Sequence, residues 1–131
     1  MGNLQESALY EYAVIRIVPK VEREEFLNVG IILFCKKHDF LQAKYLLEPE
    51  RLAAFSCDLP LEELDKYLQT WVKICDGGAE GGPIGELPTA SRFRWLTATR
   101  STVVQTSKVH PGFCHDPSAT LAHLYSTLVQ I

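Results

Sequence analysis

No apolar run in this chain of 131 residues approaches the roughly 18 residues that a membrane-crossing helix needs. The polar segment Met1–Ser7 also lacks the basic-then-apolar layout of a secretory leader. Gly2 invites a myristoylation reading, but Glu6 stands where that motif wants Ser or Thr. Positive charge is not in excess either: 13 Lys and Arg face 16 Asp and Glu, a formal net charge of −3. Whole-chain electrostatics therefore give no reason to expect nucleic acid or an acidic membrane as partner, since neutralising phosphates takes clustered cations. The four cysteines, Cys35, Cys57, Cys75 and Cys114, contain no C-x-x-C pair. Without an export signal they read as reduced thiols, and the cytoplasm is the expected compartment.

Familiar catalytic sets are missing as well. The five glycines of residues 77–85 follow no strand and lack the Lys-Ser/Thr ending of a phosphate loop. His110, Cys114 and His115 fit no metal-ligand spacing, because Pro111-Gly112 intervenes and there is no second ligand pair. No metal or cofactor is expected. Cys114 with His110 lacks the context that activates a thiol nucleophile. Glu24 and Glu25 are sequence neighbours whose side chains diverge, which argues against a paired-carboxylate acid–base site.

What is present describes one globular domain over residues 1–131, with 1–8 as a frayed lead-in. Hydrophobic residues make up 47% and charged residues 22%, an ordinary balance for a chain able to bury a core. In Tyr10–Val18, Tyr12, Val14 and Val18 share a face with Arg16, while Ala13, Ile15 and Ile17 share the other. Both faces are largely apolar, which predicts a central strand covered on both sides. A charged crossing, Glu22–Glu25, returns through Asn28-Val29-Gly30 into a second strand, Ile31–Cys35. Lys36–Asp39 is a break of hairpin length, so Phe40–Leu47 is expected as an antiparallel neighbour.

Pro49 opens a short helix through Phe55. A longer helix over Leu61–Cys75 presents Leu61, Leu64, Leu68, Trp71, Val72 and Cys75 on one face and stops at Gly77. Arg92–Leu96 reads as either a helical turn or a short strand. Thr102–Thr106 has the composition of a fourth strand. Asp116 as N-cap and Pro117 open a terminal helix. Strands come first and helices follow without regular alternation. That order predicts an α+β fold, a mainly antiparallel sheet of about four strands with helices packed on it.

Two polar groups are candidate sites. Arg16 is a guanidinium in an apolar strand, explained either by pairing with Glu25 or Glu11 or by holding an anion in a pocket. Asn28 and Gly30 sit where the second strand begins, the asparagine as a turn cap or a ligand contact, the glycine as a point of close approach. The second group is denser: Arg92, Arg94, Trp95, Arg100, Ser101, Thr102, Gln105, Ser107 and His110 within nineteen residues. Arginine forks take carboxylates and phosphates, and an indole stacks on a guanidinium or a base. Surface pairing with Glu80 or Glu86 is the plainer reading of the same arginines.

Tyr10–Pro19 together with Glu22–Leu33, then Arg92–Leu96, Arg100–Thr102, Val109–Gly112 and Asp116-Pro117, resemble the bacterial family called domain of unknown function 3037. The resemblance covers nearly the whole chain. It implies a compact bacterial cytoplasmic domain and supplies no activity and no catalytic residue. It also implies a HipA-type kinase as a possible protein partner, and an acidic residue where this chain has Ser91.

Three readings follow. The first is an accessory domain that presents Arg94, Trp95, Arg100, Ser101 and His110, with Arg16 and Asn28 nearby, to a protein. The second is an enzyme or sensor in which Arg16, Arg94 and Arg100 hold a phosphorylated or carboxylated small molecule while Glu25 or His110 moves a proton. The third is a nucleic-acid accessory stacking a base on Trp95, against which the acidic balance argues.

Overall fold

The computed structural model describes residues 6–56 and 58–130. Five strands form one antiparallel sheet: β1 (Ala8–Ile17), β2 (Leu27–Cys35), β3 (Phe40–Tyr45), β4 (Val104–Thr106) and β5 (His110–Cys114). The helices are α1 (Pro49–Phe55), α2 (Leu61–Asp76), the short α3 (Gly82–Gly85), α4 (Thr89–Leu96) and α5 (Pro117–Leu128). The α+β fold read from the pattern is the fold found.

β1 is the centre of the sheet. β2 pairs with one edge of it, and β3 continues beyond β2. The other edge of β1 is shared, with β4 along Ile15–Ile17 and β5 along Ala8–Tyr12. The partner positions Ile15↔Thr106 and Tyr12↔His110 leave one more residue on the outer strand than on β1. Ser107 manages that break. Its amide donates to Val14 O at 2.8 Å, and its hydroxyl accepts from Val14 N at 2.8 Å while donating to Lys108 O. A side chain thus stands in for a missing backbone carbonyl, which keeps the buried Val14 N–H satisfied.

The apolar character of both faces of β1 and β2 has the expected consequence. Ile15, Ile17, Ile32 and Phe34 face a core closed by α1, α2 and α4, with Leu52, Leu68, Trp71, Phe93 and Leu96 against them. Val14, Ile31, Leu33 and Cys35 face a second core closed by Leu121, Tyr125 and Val129 of the α5 segment. Each fully buried aliphatic side chain contributes about 1.5–3 kcal/mol. Two faces filled this way account for a sheet that is covered above and below.

A second irregularity lies between β1 and β2, where the register moves between Ile15 and Arg16 and leaves Val29 as the extra residue. Gly30 sits beside it. A Cβ there would lie 2.7 Å from Lys44 O and 2.8 Å from Tyr45 Cβ, so β3 can approach only a glycine.

Several local readings change. Arg92–Leu96 belongs to helix α4, because Phe93 and Leu96, three apart, both reach the core and Phe93 stacks on Phe34 at 5.2 Å. β5 is a fifth strand that Pro111-Gly112 concealed. Proline is tolerated at a sheet edge, and Gly112 is required because a Cβ would meet the Tyr10 ring at 2.6 Å. Of the expected lead-in, Met1–Gln5 lie outside the described residues, whereas Ala8 is buried in β1. α5 opens as read: Asp116 accepts from Ser118 N at 3.1 Å and Ala119 N at 3.4 Å. No helix among the described residues is long and apolar enough to cross a membrane.

Candidate functional site

The dense block of residues 92–110 does not form one surface. Arg92 lies against the C-terminal end of α2, where Nη1 donates to Ile74 O (2.8 Å) and Cys75 O (2.7 Å) and Nε to Leu87 O (2.9 Å). Arg100 does the same for α4: Nη1 donates to Leu96 O (2.7 Å) and Nη2 to Trp95 O (2.6 Å). Its guanidinium lies over the Trp71 and Trp95 rings, at 5.1 and 4.7 Å. The last carbonyls of a helix have no internal partner and carry the negative end of its dipole, so a cation is the natural cap. Surface pairing with Glu80 or Glu86 is not how these two arginines are held. Nor does Arg92 need the acidic residue replaced by Ser91, because backbone carbonyls and Thr89 Oγ1 (3.1 Å) take its protons.

Arg94 is different. It points from α4 into a groove of about 660 Å³ lined by Ser7, Leu9, Glu11, Phe34, Lys36, Lys37 and Ala90, and it has no ion pair among the described residues. Beside this groove the sheet is bare. Leu9 is 53% exposed and its cross-strand neighbour Phe113, on the outermost strand, is 74% exposed. Lys37 pairs with Glu6 at 2.7 Å, while Lys36 and Arg94 keep the rim basic. Ser101 is exposed in the loop after Arg100. Trp95 is half-exposed and serves chiefly as a wall for Arg100.

His110 lies away from the groove, on β5 opposite Tyr12, with ring centroids 5.3 Å apart. Burial pushes the Cys114 thiol up, and the neighbouring Cys35 adds to that. Burial pushes Cys75 up to about 12. Both thiols are therefore protonated at neutral pH, the opposite of an activated nucleophile. Among the described residues no three His, Cys, Asp or Glu side chains come together as a metal would require.

Arg16 and Asn28 are brought together. They are cross-strand partners, and Gln105 faces Arg16 from β4. Strand alternation puts this row on the α5 face, opposite α4, so Arg16, Arg94 and Arg100 do not hold one anion. Asn28 is not a turn cap. Its Nδ2 donates to Leu128 O (3.3 Å) at the end of α5, where Arg51 also donates to Val129 O (2.9 Å).

Neither Glu25 nor Glu11 pairs with Arg16. Glu25 accepts from Arg23 Nε at 2.6 Å on an exposed surface and lines a different hollow, with Ala54 and Phe55 of α1. The Arg16 guanidinium instead lies over the Phe26 ring, 3.9 Å from its centroid. Burial pushes its pKa down from the ordinary arginine value.

Sequence reasoning left Glu24, Phe26 and Phe113 out of the candidate sites, and it grouped Gln105 with the 92–110 block and not with Arg16. Glu24, Phe26 and Gln105 surround Arg16, and Phe113 dominates the exposed patch. The divergence of Glu24 and Glu25 was the available signal for the first, but it did not say which of them would face Arg16. Characterised proteins and solved structures offer no match to this chain. The family described as "Protein of unknown function (DUF3037)" matches residues 12–129, nearly the whole length, and the chain belongs to that family.

Proposed function

We propose that this protein is a bacterial, cytoplasmic accessory domain that works by binding a protein partner through the Leu9–Arg94 groove and the adjoining face of β5. The observation that carries this reading is the adjacency of Leu9 and Phe113, two large apolar side chains left exposed on neighbouring strands. Contiguous apolar surface with a polar rim is the signature of an interface. Lys36 and Arg94 at that rim suit a partner segment that combines acidic and apolar residues. The HipA-type kinase suggested by the family resemblance is the first partner to test.

The plan in which Arg16, Arg94 and Arg100 share one anion loses its basis, because Arg100 is committed to carbonyls and Arg16 lies on the other face.

Affinity capture from a lysate of the source organism tests the proposal, using the wild-type chain with Leu9→Asp, Arg94→Glu and Arg16→Gln variants. The expected result is one stoichiometric protein retained by the wild type and by Arg16→Gln and lost from the two groove variants. A partner held equally by all four, with folding verified by circular dichroism, would remove the groove from the account.

A further inference from the structure

Three unsettled groups meet near the end of β1, on the face that α5 covers. Among the described residues, Arg16 Nε is buried without a hydrogen-bond partner, and so is the oxygen of its neighbour Asn28. Native proteins rarely leave buried polar atoms unpaired. Glu24 holds a left-handed backbone conformation, φ 56°, which side chains other than glycine seldom adopt. Glu24 lines a hollow of about 270 Å³ together with Arg16, Val18, Phe26 and Gln105.

The lining has a definite chemical balance. Arg16 is a fork of donors with no ion pair among the described residues, steadied by the Phe26 ring. Gln105 directs Nε2 to Thr102 O at 2.7 Å, which leaves its side-chain oxygen as an acceptor. Glu24 supplies a carboxylate to the same wall and forms no ion pair with Arg16. One wall thus offers donors to an anion and another offers acceptors to a cation.

We propose that this cavity binds a small zwitterion of the amino-acid class. Its carboxylate sits on the Arg16 fork, its ammonium turns to Glu24 and the Gln105 oxygen, and its apolar part lies against Phe26 and Val18. A guanidinium presents two parallel N–H groups that match a carboxylate. A doubly charged phosphate would meet repulsion from Glu24. A plain carboxylate would leave Glu24 and the Gln105 oxygen to water alone. The volume suits a small molecule, below the usual range for drug-sized ligands. This site is separate from the groove, since Arg16 shares its face with Val14 and α5 while α4 packs on the other.

Isothermal titration of the full chain with each common amino acid tests this, with acetate, ethylamine and inorganic phosphate as reference probes. The expected result is that at least one amino acid binds one-to-one, about tenfold tighter than acetate or ethylamine. Arg16→Gln and Glu24→Gln should each weaken it by about tenfold or more. Should Arg16→Gln fail to fold, Glu24→Gln decides alone. The proposal is overturned if no amino acid binds, if phosphate or acetate binds as tightly as the best amino acid, or if the folded variants bind like the wild type.

Discussion

Arg92 and Arg100 on one hand, and Arg94 and Arg16 on the other, carry the same chemistry into opposite situations. The first two direct most of their donors to carbonyls at the ends of α2 and α4. Arg94 faces a groove, and Arg16 faces a cavity with its Nε unmatched. Density of arginine along the chain does not distinguish these cases. What distinguishes them is where a helix ends. A guanidinium that reaches a helix C-terminus is used up in the fold, and one that projects elsewhere remains available.

That contrast can be broken most forcefully at Arg92. Arg92→Ala removes the side-chain donor from Cys75 O and Leu87 O and leaves Ile74 O with only the Gly77 amide at 3.2 Å, and should destabilise the fold by about 3 kcal/mol. Urea denaturation with an unchanged m-value would measure it. Arg100→Ala comes next, at about 2 kcal/mol, through its two main carbonyl bonds and its place between two indoles. Tryptophan fluorescence should report the change, since Trp71 and Trp95 flank the lost group.

Gly77→Ala sharpens the comparison further. The residue has φ 83°, and an added Cβ would lie 3.2 Å from Arg92 Nη1. About 1.5 kcal/mol of destabilisation is expected from that conformation. A double-mutant cycle with Arg92→Ala should be non-additive, because the two changes disturb one contact. The smallest effect belongs to Arg94→Ala, which should stay within about 0.5 kcal/mol of the wild type in thermal or urea unfolding. A loss as large as that of Arg92→Ala would place Arg94 among the structural arginines.

The sheet was the most legible part of the sequence, for a physical reason. Strand alternation in Tyr10–Val18 and the apolar run Ile31–Cys35 report local geometry; Ile31–Cys35 is buried on two faces, and the first strand is buried so at Ala13–Ile15, with Tyr10–Tyr12 half-buried. Asp116 and Gly30 were equally readable, since capping and close approach depend on residue type. β5 was hidden because Pro111-Gly112 has the composition of a turn, and only contact with Tyr10 explains the glycine. The site residues were the least legible. Arg92 and Arg94 are two positions apart on one helix, and which of them caps α2 depends on how α4 docks. Likewise, Glu24 rather than Glu25 faces Arg16 because of the backbone turn at Glu24, which nothing in the run of acidic residues announces.

The claim that the bare face of β5 is a working interface can be tested directly by photo-crosslinking in cells. Benzoylphenylalanine would replace Phe113 in one protein and Tyr67, a half-exposed residue of α2 in the layer that covers one face of the sheet, in another. A single covalent adduct is expected from position 113 and none from position 67. Adducts from position 67 with none from 113 would contradict the claim.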